Sequence, residues 1–407
     1  MPEAVIVATA RSPIGRAFKG SLKDIRPDDL TATVVQAALD KVPALDPHDI
    51  DDLMLGCGLP GGEQGMNMGR VVSVLLGMDH LPGTTITRYC SSSLQTTRMA
   101  FHAIKAGEGD AYISAGVETV SRFIKGNSDM IPEQELTNPV FGDAQLRTLK
   151  AQEGGLDGWT DPRESGDLPD VYVAMGQTAE NVALLKNVSR EEMDEFAARS
   201  QQLTEKAIAD GFWERDVVPI PTPDGQTVTK DDGPRAGTTV EGLSGLKPVF
   251  RPDGRVTAGN ACPLNDGAAA VIVMSDTKAE QLGLEPLARI VSTAVTGLSP
   301  EIMGLGPVDA IKLALARADK SVDDIDLFEI NEAFAAQVIP SYKEVGIPLD
   351  KLNVHGGAIA VGHPFGMTGA RITSTLLGGL QVRDGRFGVE SMCVGGGMGM
   401  AMVIERL

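Results

Sequence analysis

Cysteine is scarce in this chain of 407 residues, which contains only four. The four lie far apart, without a CxxC pair or another spacing typical of zinc ligands. Because a disulfide framework is characteristic of much shorter secreted chains, we expect free thiols and a reducing, cytoplasmic compartment. The four cysteines are Cys57, Cys90, Cys262 and Cys393.

Long apolar runs and positive charge are also in short supply. No run reaches the roughly 18 residues that a membrane-spanning helix requires, and no basic stretch followed by an apolar one, as in a secretory leader, opens the sequence. Lys and Arg number 36 against 55 Asp and Glu, which gives a formal net charge of −19. The sequence therefore argues against membrane insertion and nucleic-acid binding, while a local basic patch for a phosphorylated small molecule stays open.

Glycine is abundant, with 47 residues, and two parts of the chain resemble each other. A helical pattern at 30–42 leads to an acidic strand start at 49–54, and another at 308–318 leads to 324–328. Alternating β and α segments predict mainly parallel sheets covered by helices, so we predict a duplicated α/β fold. The expected parts are a first half at 1–120 completed by about 257–285, an inserted loop domain at 121–256, and a second half at 286–407.

Cys90 stands between a β-branched run at 84–87 and a run of small, helix-compatible residues at 91–106. This pattern predicts a strand, a sharp turn and a helix with the thiol at its N-terminus. Because unpaired N–H groups and the helix dipole favour an anion there, we expect a lowered thiol pKa and a nucleophile. The alternative is a buried structural cysteine, the commoner role of a single cysteine.

Two motifs of the second half carry candidate polar groups. Asn331 opens NEAFA at 331–335, directly after a predicted strand, and ligands of open α/β sheets bind at such strand ends. Asn is also a favoured helix N-cap, and the two roles are compatible. His363 lies in GGAIAVGHPFG at 356–366, and imidazole is a natural base for a thiol at neutral pH.

A third motif, CVGGGMG at 393–399, places four glycines after Cys393. Free N–H groups in such a turn can form an anion nest or an oxyanion hole. The alternative is a tight turn between two buried strands.

Two other enzyme classes are disfavoured by the motifs. GCGLPG at 56–61 matches the dinucleotide pattern GxGxxG, but Pro60 removes one phosphate-facing N–H and the motif does not follow the first predicted strand. The GxSxG motif of α/β-hydrolases does not occur.

Together, the contexts of Cys90, Asn331, His363 and Cys393 resemble those of the thiolase family in order and approximate spacing, over nearly the whole chain. The resemblance implies the α/β thiolase fold, with duplicated βαβαβαββ halves in a five-layer α-β-α-β-α arrangement and an inserted loop domain.

The resemblance also implies roles for these residues. Cys90 would attack the 3-keto carbon of a 3-ketoacyl-CoA after His363 activates its thiol. Cys393 would protonate the departing acetyl-CoA enolate and later deprotonate the incoming CoA. Asn331, through a water, and His363 would form one oxyanion hole, and the backbone N–H groups of Cys90 and Gly395 would form the other.

Further positions correspond to the family's CoA site, with Met175 beside the acyl pocket. Arg235 would face the adenine nucleotide end, unless it is an ordinary surface arginine. Cys262 stands where the family often has serine, and Ala174 where acetoacetyl-CoA-synthesising members often have histidine, which favours a degradative thiolase for longer acyl chains. The matching positions are Met175, Arg235, Phe250, Ala258, Cys262, Leu264, Ala333 and Phe334.

The resemblance implies no metal and no resident cofactor, with CoA as a substrate. It implies a homodimer or homotetramer, and a hydratase/dehydrogenase of β-oxidation is a candidate partner. The main rival activity is an acetoacetyl-CoA thiolase that condenses two acetyl-CoA. A fatty-acid condensing enzyme would bring a Cys-His-His set instead, and a non-catalytic lipid or sterol carrier should have lost Cys90, His363 or Cys393.

Overall fold

The computed structural model describes residues 1–123, 137–155 and 158–407. Its first part supplies β1 (Ala4–Arg11), β2 (Gly15–Arg16), α1 (Pro27–Leu39), β3 (Asp52–Cys57), α2 (Met68–Leu75), β4 (Gly83–Ile86), α3 (Ser92–Ala106), β5 (Ala111–Thr119) and α4 (Val120–Phe123). Its middle part supplies α5 (Gly142–Glu153), α6 (Pro162–Ser165), α7 (Met175–Leu185), α8 (Arg190–Ala209), β6 (Ile220–Pro221), β7 (Thr227–Val228) and α9 (Val240–Ser244). The last part supplies β8 (Asn265–Ser275), α10 (Asp276–Gln281), β9 (Ala288–Gly297), α11 (Gly306–Arg317), β10 (Leu327–Ile330), α12 (Ala335–Val345), α13 (Ala358–Val361), α14 (Thr368–Arg383), β11 (Phe387–Val394) and β12 (Met398–Arg406).

The two halves of the chain contribute their strands to the main sheet in the same order. Its strands follow the order β10-β11-β12-β9-β1-β8-β5-β3-β4. The first half contributes β1, β3, β4, β5 and β8, and β4 lies at the outer edge of the sheet. In the second half, β9, β10, β11 and β12 take the places of β1, β3, β5 and β8. The counterpart of β4 is a single parallel bridge between Phe328 and Leu352. The predicted duplication of an α/β unit is therefore confirmed, but the prediction of mainly parallel sheets was wrong, because five of the eight pairings along this strand order are antiparallel.

Alternating burial along the strands produces the layers of helices and sheet. In β8, even-numbered residues of 268–274 belong to a core that also contains α1 and α2. The odd-numbered residues of 269–273 face a second core that contains residues of α3 and α14. Residues 400, 402 and 404 of β12, in the second half, belong to this same core. A third core joins the opposite face of β12 to α11 and α12. The five predicted layers follow from this arrangement.

The described residues between β5 and β8 form mainly helices and short hairpin strands. Helix α8 opens with a capping box, in which the Ser189 hydroxyl accepts from the Glu192 N–H at 3.1 Å and the Glu192 carboxylate accepts from the Ser189 N–H at 3.1 Å. The helix packs against α12 and α13 of the second half. The predicted limits of the inserted domain, 121–256, stay a prediction.

None of the described helices combines the length and the apolar character needed to cross a bilayer.

Two glycines let α3, β5 and the segment before α14 approach closely. A Cβ on Gly116 would lie 2.1 Å from the carbonyl oxygen of Gly366, and a Cβ on Gly369 would lie 2.3 Å from the backbone nitrogen of Leu94. No side chain fits at these distances, so the two halves meet through backbone contact at this point.

We expect Gly116→Val to lower the free energy of unfolding by about 1–3 kcal/mol, because the added side chain must displace backbone. Urea unfolding should show a lower midpoint. The matched control is Gly142→Ala in α5, where an added Cβ meets no atom within 4 Å, and this variant should unfold at or slightly above the wild-type midpoint. Equal midpoints for Gly116→Val and the wild type would contradict the close approach.

Candidate active site

Cys90 lies in a single 3-10 turn, Tyr89–Ser91, that connects the end of β4 to the start of α3. The residue before it, Tyr89, adopts the left-handed conformation with φ of 43°, which is uncommon for a bulky side chain. The predicted strand, sharp turn and helix are therefore confirmed, and the thiol is 7% exposed.

The predicted lowering of the Cys90 pKa was wrong. Burial raises the pKa of this thiol to about 12, and hydrogen bonds from the backbone N–H groups of Gly395 and of Cys90 itself lower it only in part. The negative charge of Glu118 raises it further. Because desolvation penalises the thiolate more than the two donors stabilise it, the resting side chain is a neutral thiol that needs a base.

His363 is buried in a fixed tautomer. Its Nδ1 lies 2.6 Å from the Thr368 hydroxyl oxygen, and that hydroxyl donates its single proton to the carbonyl of Pro364 at 2.7 Å. Thr368 must therefore accept from an Nδ1–H, which leaves Nε2 as the basic nitrogen of a neutral imidazole. Burial and the positive charge of Arg371 lower the pKa of His363 to about 3, and Nε2 has no hydrogen-bond partner among the described residues.

The segment that carries His363 is attached directly to the start of α3. The Ala370 N–H donates to the Ser93 hydroxyl at 2.9 Å, and the Gly366 N–H donates to the carboxylate of Glu118 at 3.0 Å. Ser93 is three residues from Cys90, so these contacts bring the predicted base and the predicted nucleophile to one place.

Cys393 lies near the end of β11 and is fully buried. Burial raises the pKa of its thiol well above the usual value, and the neighbouring thiols of Cys90 and Cys262 raise it further. The following turn contains Gly396 and Gly397, with φ of 76° and 82°, a conformation that side chains disfavour. The Gly395 N–H in this turn lowers the pKa of the Cys90 thiol, and the anion nest stays a prediction.

Asn331 follows β10 and joins it to β11 through a hydrogen bond from its N–H to the Ser391 carbonyl at 2.9 Å. It does not cap a helix, because α12 begins four residues later with Phe334 at the N-cap position. Its side-chain oxygen and nitrogen are both buried without a partner among the described residues. A buried amide with both polar atoms free is available for a ligand or a water.

Five of the predicted CoA positions pack in one hydrophobic cluster with Cys393. Phe250 and Phe334 pack edge to face with ring centroids 6.2 Å apart. The Cys262 N–H donates to the Ala333 carbonyl at 3.0 Å, and a Cβ on Gly395 would lie 3.7 Å from the Met175 sulfur. The structure thus brings together Met175, Phe250, Cys262, Ala333 and Phe334.

The remaining three predicted CoA positions lie further out. Arg235 and Ala258 line one narrow pocket, and Arg235 and Leu264 line an adjoining cavity of about 280 Å³. Leu264 is half-exposed. The pocket and the cavity adjoin each other through Arg16, Arg235 and Pro263, which line both.

Glu118 was missed by the sequence analysis, although an acidic residue at the end of an apolar strand was a usable signal. It is fully buried and accepts hydrogen bonds from the Gly58 N–H at 2.7 Å, the Leu59 N–H at 3.2 Å and the Gln64 amide at 2.8 Å. The Gly58 and Leu59 N–H groups of GCGLPG are thus already hydrogen-bonded to Glu118 and are not free to bind a dinucleotide.

Comparisons with known proteins cover the whole chain. Residues 4–277 match the thiolase N-terminal domain, and residues 284–406 match the thiolase C-terminal domain. The chain is 42% identical over 418 residues to a 3-ketoacyl-CoA thiolase of Bacillus subtilis (strain 168), with full coverage of both chains. It is equally similar, at 42%, to a 3-oxoadipyl-CoA/3-oxo-5,6-dehydrosuberyl-CoA thiolase of Escherichia coli (strain K12), again with full coverage.

Solved structures give the same result. The acetyl-CoA acetyltransferase of Bacillus anthracis superposes with a TM-score of 0.86 at 38% identity, covering 100% of this chain and 99% of that one. Human mitochondrial 3-ketoacyl-CoA thiolase, solved in complex with CoA, gives 0.84 at 35% identity, with coverage of 100% and 98%. With both domains matched and full-length relatives above 40% identity, the chain belongs to the thiolase family.

Proposed function

We propose that the chain is an acetyl-CoA C-acyltransferase that uses CoA to cleave 3-ketoacyl-CoA into acetyl-CoA and a shortened acyl-CoA. The observation that carries this proposal is that the turn after Cys393 packs against the turn that carries Cys90, since a Cβ on Gly395 would lie 3.3 Å from the Tyr89 ring. The two thiols are close enough for that of Cys90 to raise the pKa of Cys393, and the Gly395 N–H lowers the pKa of Cys90. Two thiols suit a reaction that needs a nucleophile and a separate acid.

In the first half-reaction, His363 Nε2 takes the proton of the Cys90 thiol, and the thiolate attacks the 3-keto carbon of the substrate. The bond between C2 and C3 then breaks, its electron pair passes to the acetyl-CoA enolate, and Cys393 protonates C2. The acyl group stays on Cys90 as a thioester. Burial disfavours both charged products of the first proton transfer, so the thiolate and the imidazolium would form only as the sulfur attacks, with the charge stabilised by nearby N–H donors.

In the second half-reaction, the Cys393 thiolate takes the proton of the incoming CoA thiol. The CoA thiolate attacks the thioester carbonyl, and Cys90 leaves and recovers its proton from His363. Every proton taken in the first half-reaction is thus returned. CoA is a substrate in this scheme, and no metal or resident cofactor takes part.

Two sets of donors suit the two oxygens on which negative charge develops. The N–H groups of Cys90 and Gly395 both lower the pKa of the Cys90 thiol, and they would donate to the oxyanion that forms on the carbon bonded to the sulfur. Asn331, with its amide unpaired among the described residues, would orient a water that binds the enolate oxygen together with protonated His363.

The acyl chain and the assembly belong to the same proposal. Ala174 precedes Met175 at the start of α7, and we take its small side chain to favour 3-ketoacyl chains longer than acetoacetyl in cytoplasmic β-oxidation. An acetoacetyl-CoA thiolase is the alternative. Strand β4 ends the described sheet, and a free strand edge suits pairing in a homodimer or homotetramer. A hydratase/dehydrogenase partner would supply the 3-ketoacyl-CoA.

Cys90→Ser should abolish thiolysis, because a hydroxyl in this buried site is far harder to deprotonate than a thiol. Intact wild-type protein incubated with acetoacetyl-CoA should gain an acetyl mass that maps to the Cys90 peptide and not to that of Cys57, a buried cysteine outside the site. A carrier without catalysis would gain no adduct, and that result would overturn the assignment of the nucleophile.

Cys393→Ala is the matched variant for the second thiol. It should still be acylated at Cys90, but exchange of the acetyl-CoA α-proton with deuterated solvent should fall by roughly two to four orders of magnitude, the usual contribution of a positioned acid or base. Wild-type exchange in this variant would exclude Cys393 as the acid.

Alkylation of Cys90 by iodoacetamide should accelerate by about tenfold per pH unit between about pH 7 and pH 9, because the reactive thiolate becomes more populated below a raised pKa. The cause is the burial that raises the thiol pKa to about 12. Rates can be followed by mass spectrometry, with Cys57 as internal reference. A plateau below about pH 8 would instead indicate a resting thiolate–imidazolium pair and contradict the neutral pair.

The chain-length proposal predicts a higher kcat/KM for 3-ketooctanoyl-CoA than for acetoacetyl-CoA, by roughly tenfold or more, since each buried methylene contributes about 0.8 kcal/mol. A third substrate, 3-oxoadipyl-CoA, tests the activity named for the Escherichia coli relative. Equal or better turnover of acetoacetyl-CoA would support the alternative, and a clear preference for the dicarboxylic substrate would contradict both.

A further inference from the structure

Two glutamates on neighbouring strands, here called the glutamate pair, are buried side by side. Glu329 of β10 and Glu390 of β11 are partners in the parallel register, so their side chains point to the same face of the sheet. They are 4% and 0% exposed. Both strands pack against α14, and the Thr373 hydroxyl of that helix donates to Glu390 Oε1 at 2.7 Å. Neither carboxylate takes part in the proposed thiolysis.

One guanidinium group lies near both carboxylates. Arg371, in the first turn of α14, is 1% exposed, and its Nε and Nη1 have no hydrogen-bond partner among the described residues. Its positive charge lowers the pKa of Glu329 and that of Glu390. Glu390 Oε2 is also buried without a partner there. A single arginine thus serves two buried carboxylates.

The charges around the glutamate pair do not balance within the described part of the chain. The other charged groups that act on the pair and on Arg371 are Arg199 of α8, Glu332 after β10, Arg11 and Asp231. Arg11 and Asp231 form an ion pair at 2.8 Å and cancel each other. Two arginines then remain for three buried carboxylates. Because an unpaired buried charge is costly, one of the carboxylates must bind a proton.

Glu332 is the carboxylate best suited to keep its charge. It accepts hydrogen bonds from the Ser200 hydroxyl at 2.6 Å, the Asn353 amide at 2.9 Å and the Ile359 N–H at 3.2 Å. Burial raises its pKa, and these three donors lower it. In the glutamate pair, burial raises the pKa of each carboxyl group to about 8, against the positive charge of the arginine. The proton therefore belongs to the pair.

The glutamate pair is connected through α14 to the candidate base. Arg371 lies three residues after Thr368, so the two side chains share one side of the helix. The Thr368 hydroxyl lies 2.6 Å from His363 Nδ1, and the Arg371 N–H donates to the Met367 carbonyl at 3.1 Å. A change of charge beside Arg371 therefore acts on the turn that orients the imidazole.

We propose that the glutamate pair holds one proton at neutral pH and acts as a pH-sensitive switch on the first turn of α14. In the protonated state, one carboxylate pairs with Arg371 and the other is neutral. At alkaline pH the proton passes to the solvent, and two like charges on neighbouring strands then repel each other and loosen the turn that carries Thr368. The switch concerns the fold and holds whatever acyl group the protein transfers.

The sign of the effect on stability follows from the direction of the pKa shift. Unfolding exposes the pair to water, where a glutamate loses its proton near its ordinary pKa of 4.5. The contribution of the bound proton is therefore complete below about pH 4.5 and is lost as the pH rises through about 8. Over that interval it should raise the unfolding equilibrium constant by about tenfold per pH unit.

Urea unfolding of the full chain between about pH 5 and pH 8 measures this slope. Glu390→Gln and Glu329→Gln should each reduce it by about tenfold per pH unit relative to the wild type. Either change removes the surplus carboxylate, and the remaining one can then pair with Arg371 as an ordinary ion. Using both variants keeps the test open if one of them fails to fold.

Glu405→Gln is the matched control, because Glu405 is a buried glutamate of the same sheet whose charge is balanced. It is 3% exposed and forms ion pairs with Arg289 and Arg386. Burial raises its pKa, but hydrogen bonds from these two arginines lower it further, to below the ordinary value. This variant should keep the wild-type slope between about pH 5 and pH 8, since its carboxylate is ionised throughout.

Hydrogen exchange of the amides at 368–371 tests the connection to α14. After correction for the intrinsic rate, exchange in the wild type should accelerate by about tenfold between about pH 7 and pH 9, because the doubly charged fraction of the pair rises by that factor. Glu390→Gln should show no acceleration. The amides of α1, which lies on the other side of the sheet, serve as internal reference.

A wild-type slope in either glutamine variant would overturn the bound proton. Equal exchange at the two pH values in the wild type would overturn the action on α14. Neither measurement uses turnover of a thioester, so both outcomes are independent of the proposed function.

Discussion

A buried carboxylate fixes the loops of the candidate active site in place. Glu118, at the end of β5, accepts hydrogen bonds from Gly58, from Gln64 and from Gly366, three residues after His363. Burial raises its pKa, and these donors lower it. Removing a carboxylate from water is tolerated only where hydrogen bonds replace the lost hydration, so the surrounding loops are fixed by this one group. The position of His363 relative to α3 depends on them.

The same exclusion of water sets the chemistry of the pocket. It raises the thiol pKa values of Cys90 and Cys393 and lowers the imidazole pKa of His363. All three groups are therefore neutral at rest, and charge would appear only during reaction, beside N–H groups already in position. Electrostatic stabilisation is strongest in such a preorganised, dry site. The low number of fixed charges around the thiols is thus part of how the site is suited to acyl transfer.

Local signals in the sequence predicted the helices, strands and turns, but not the pKa shifts of the buried groups. The duplicated halves, the capping box of Ser189 and the turn at Cys90 follow from nearby residues, and the structure has them. The sign of the Cys90 pKa shift could not be predicted, because burial is a property of the whole fold. Arg16 and Arg235 come from distant parts of the chain, and only the packed structure brings them together. Glu118 acts through contacts with two separate loops, the one between β3 and α2 and the one before α14, and no single motif records them.

The place of β8 in the sheet has a consequence for synthesis of the protein. This strand lies between β1 and β5, yet the chain reaches it only after the whole middle region has been made. As the polypeptide leaves the ribosome, β1 and β5 must therefore wait with open edges until residue 275 has emerged. Strands that are far apart in the sequence pair slowly, and until they pair their aggregation-prone edges stay exposed. A nascent chain stalled before β8 would thus be a substrate for chaperones, and truncation just upstream of this strand would be more damaging than loss of an equal length from the surface helices.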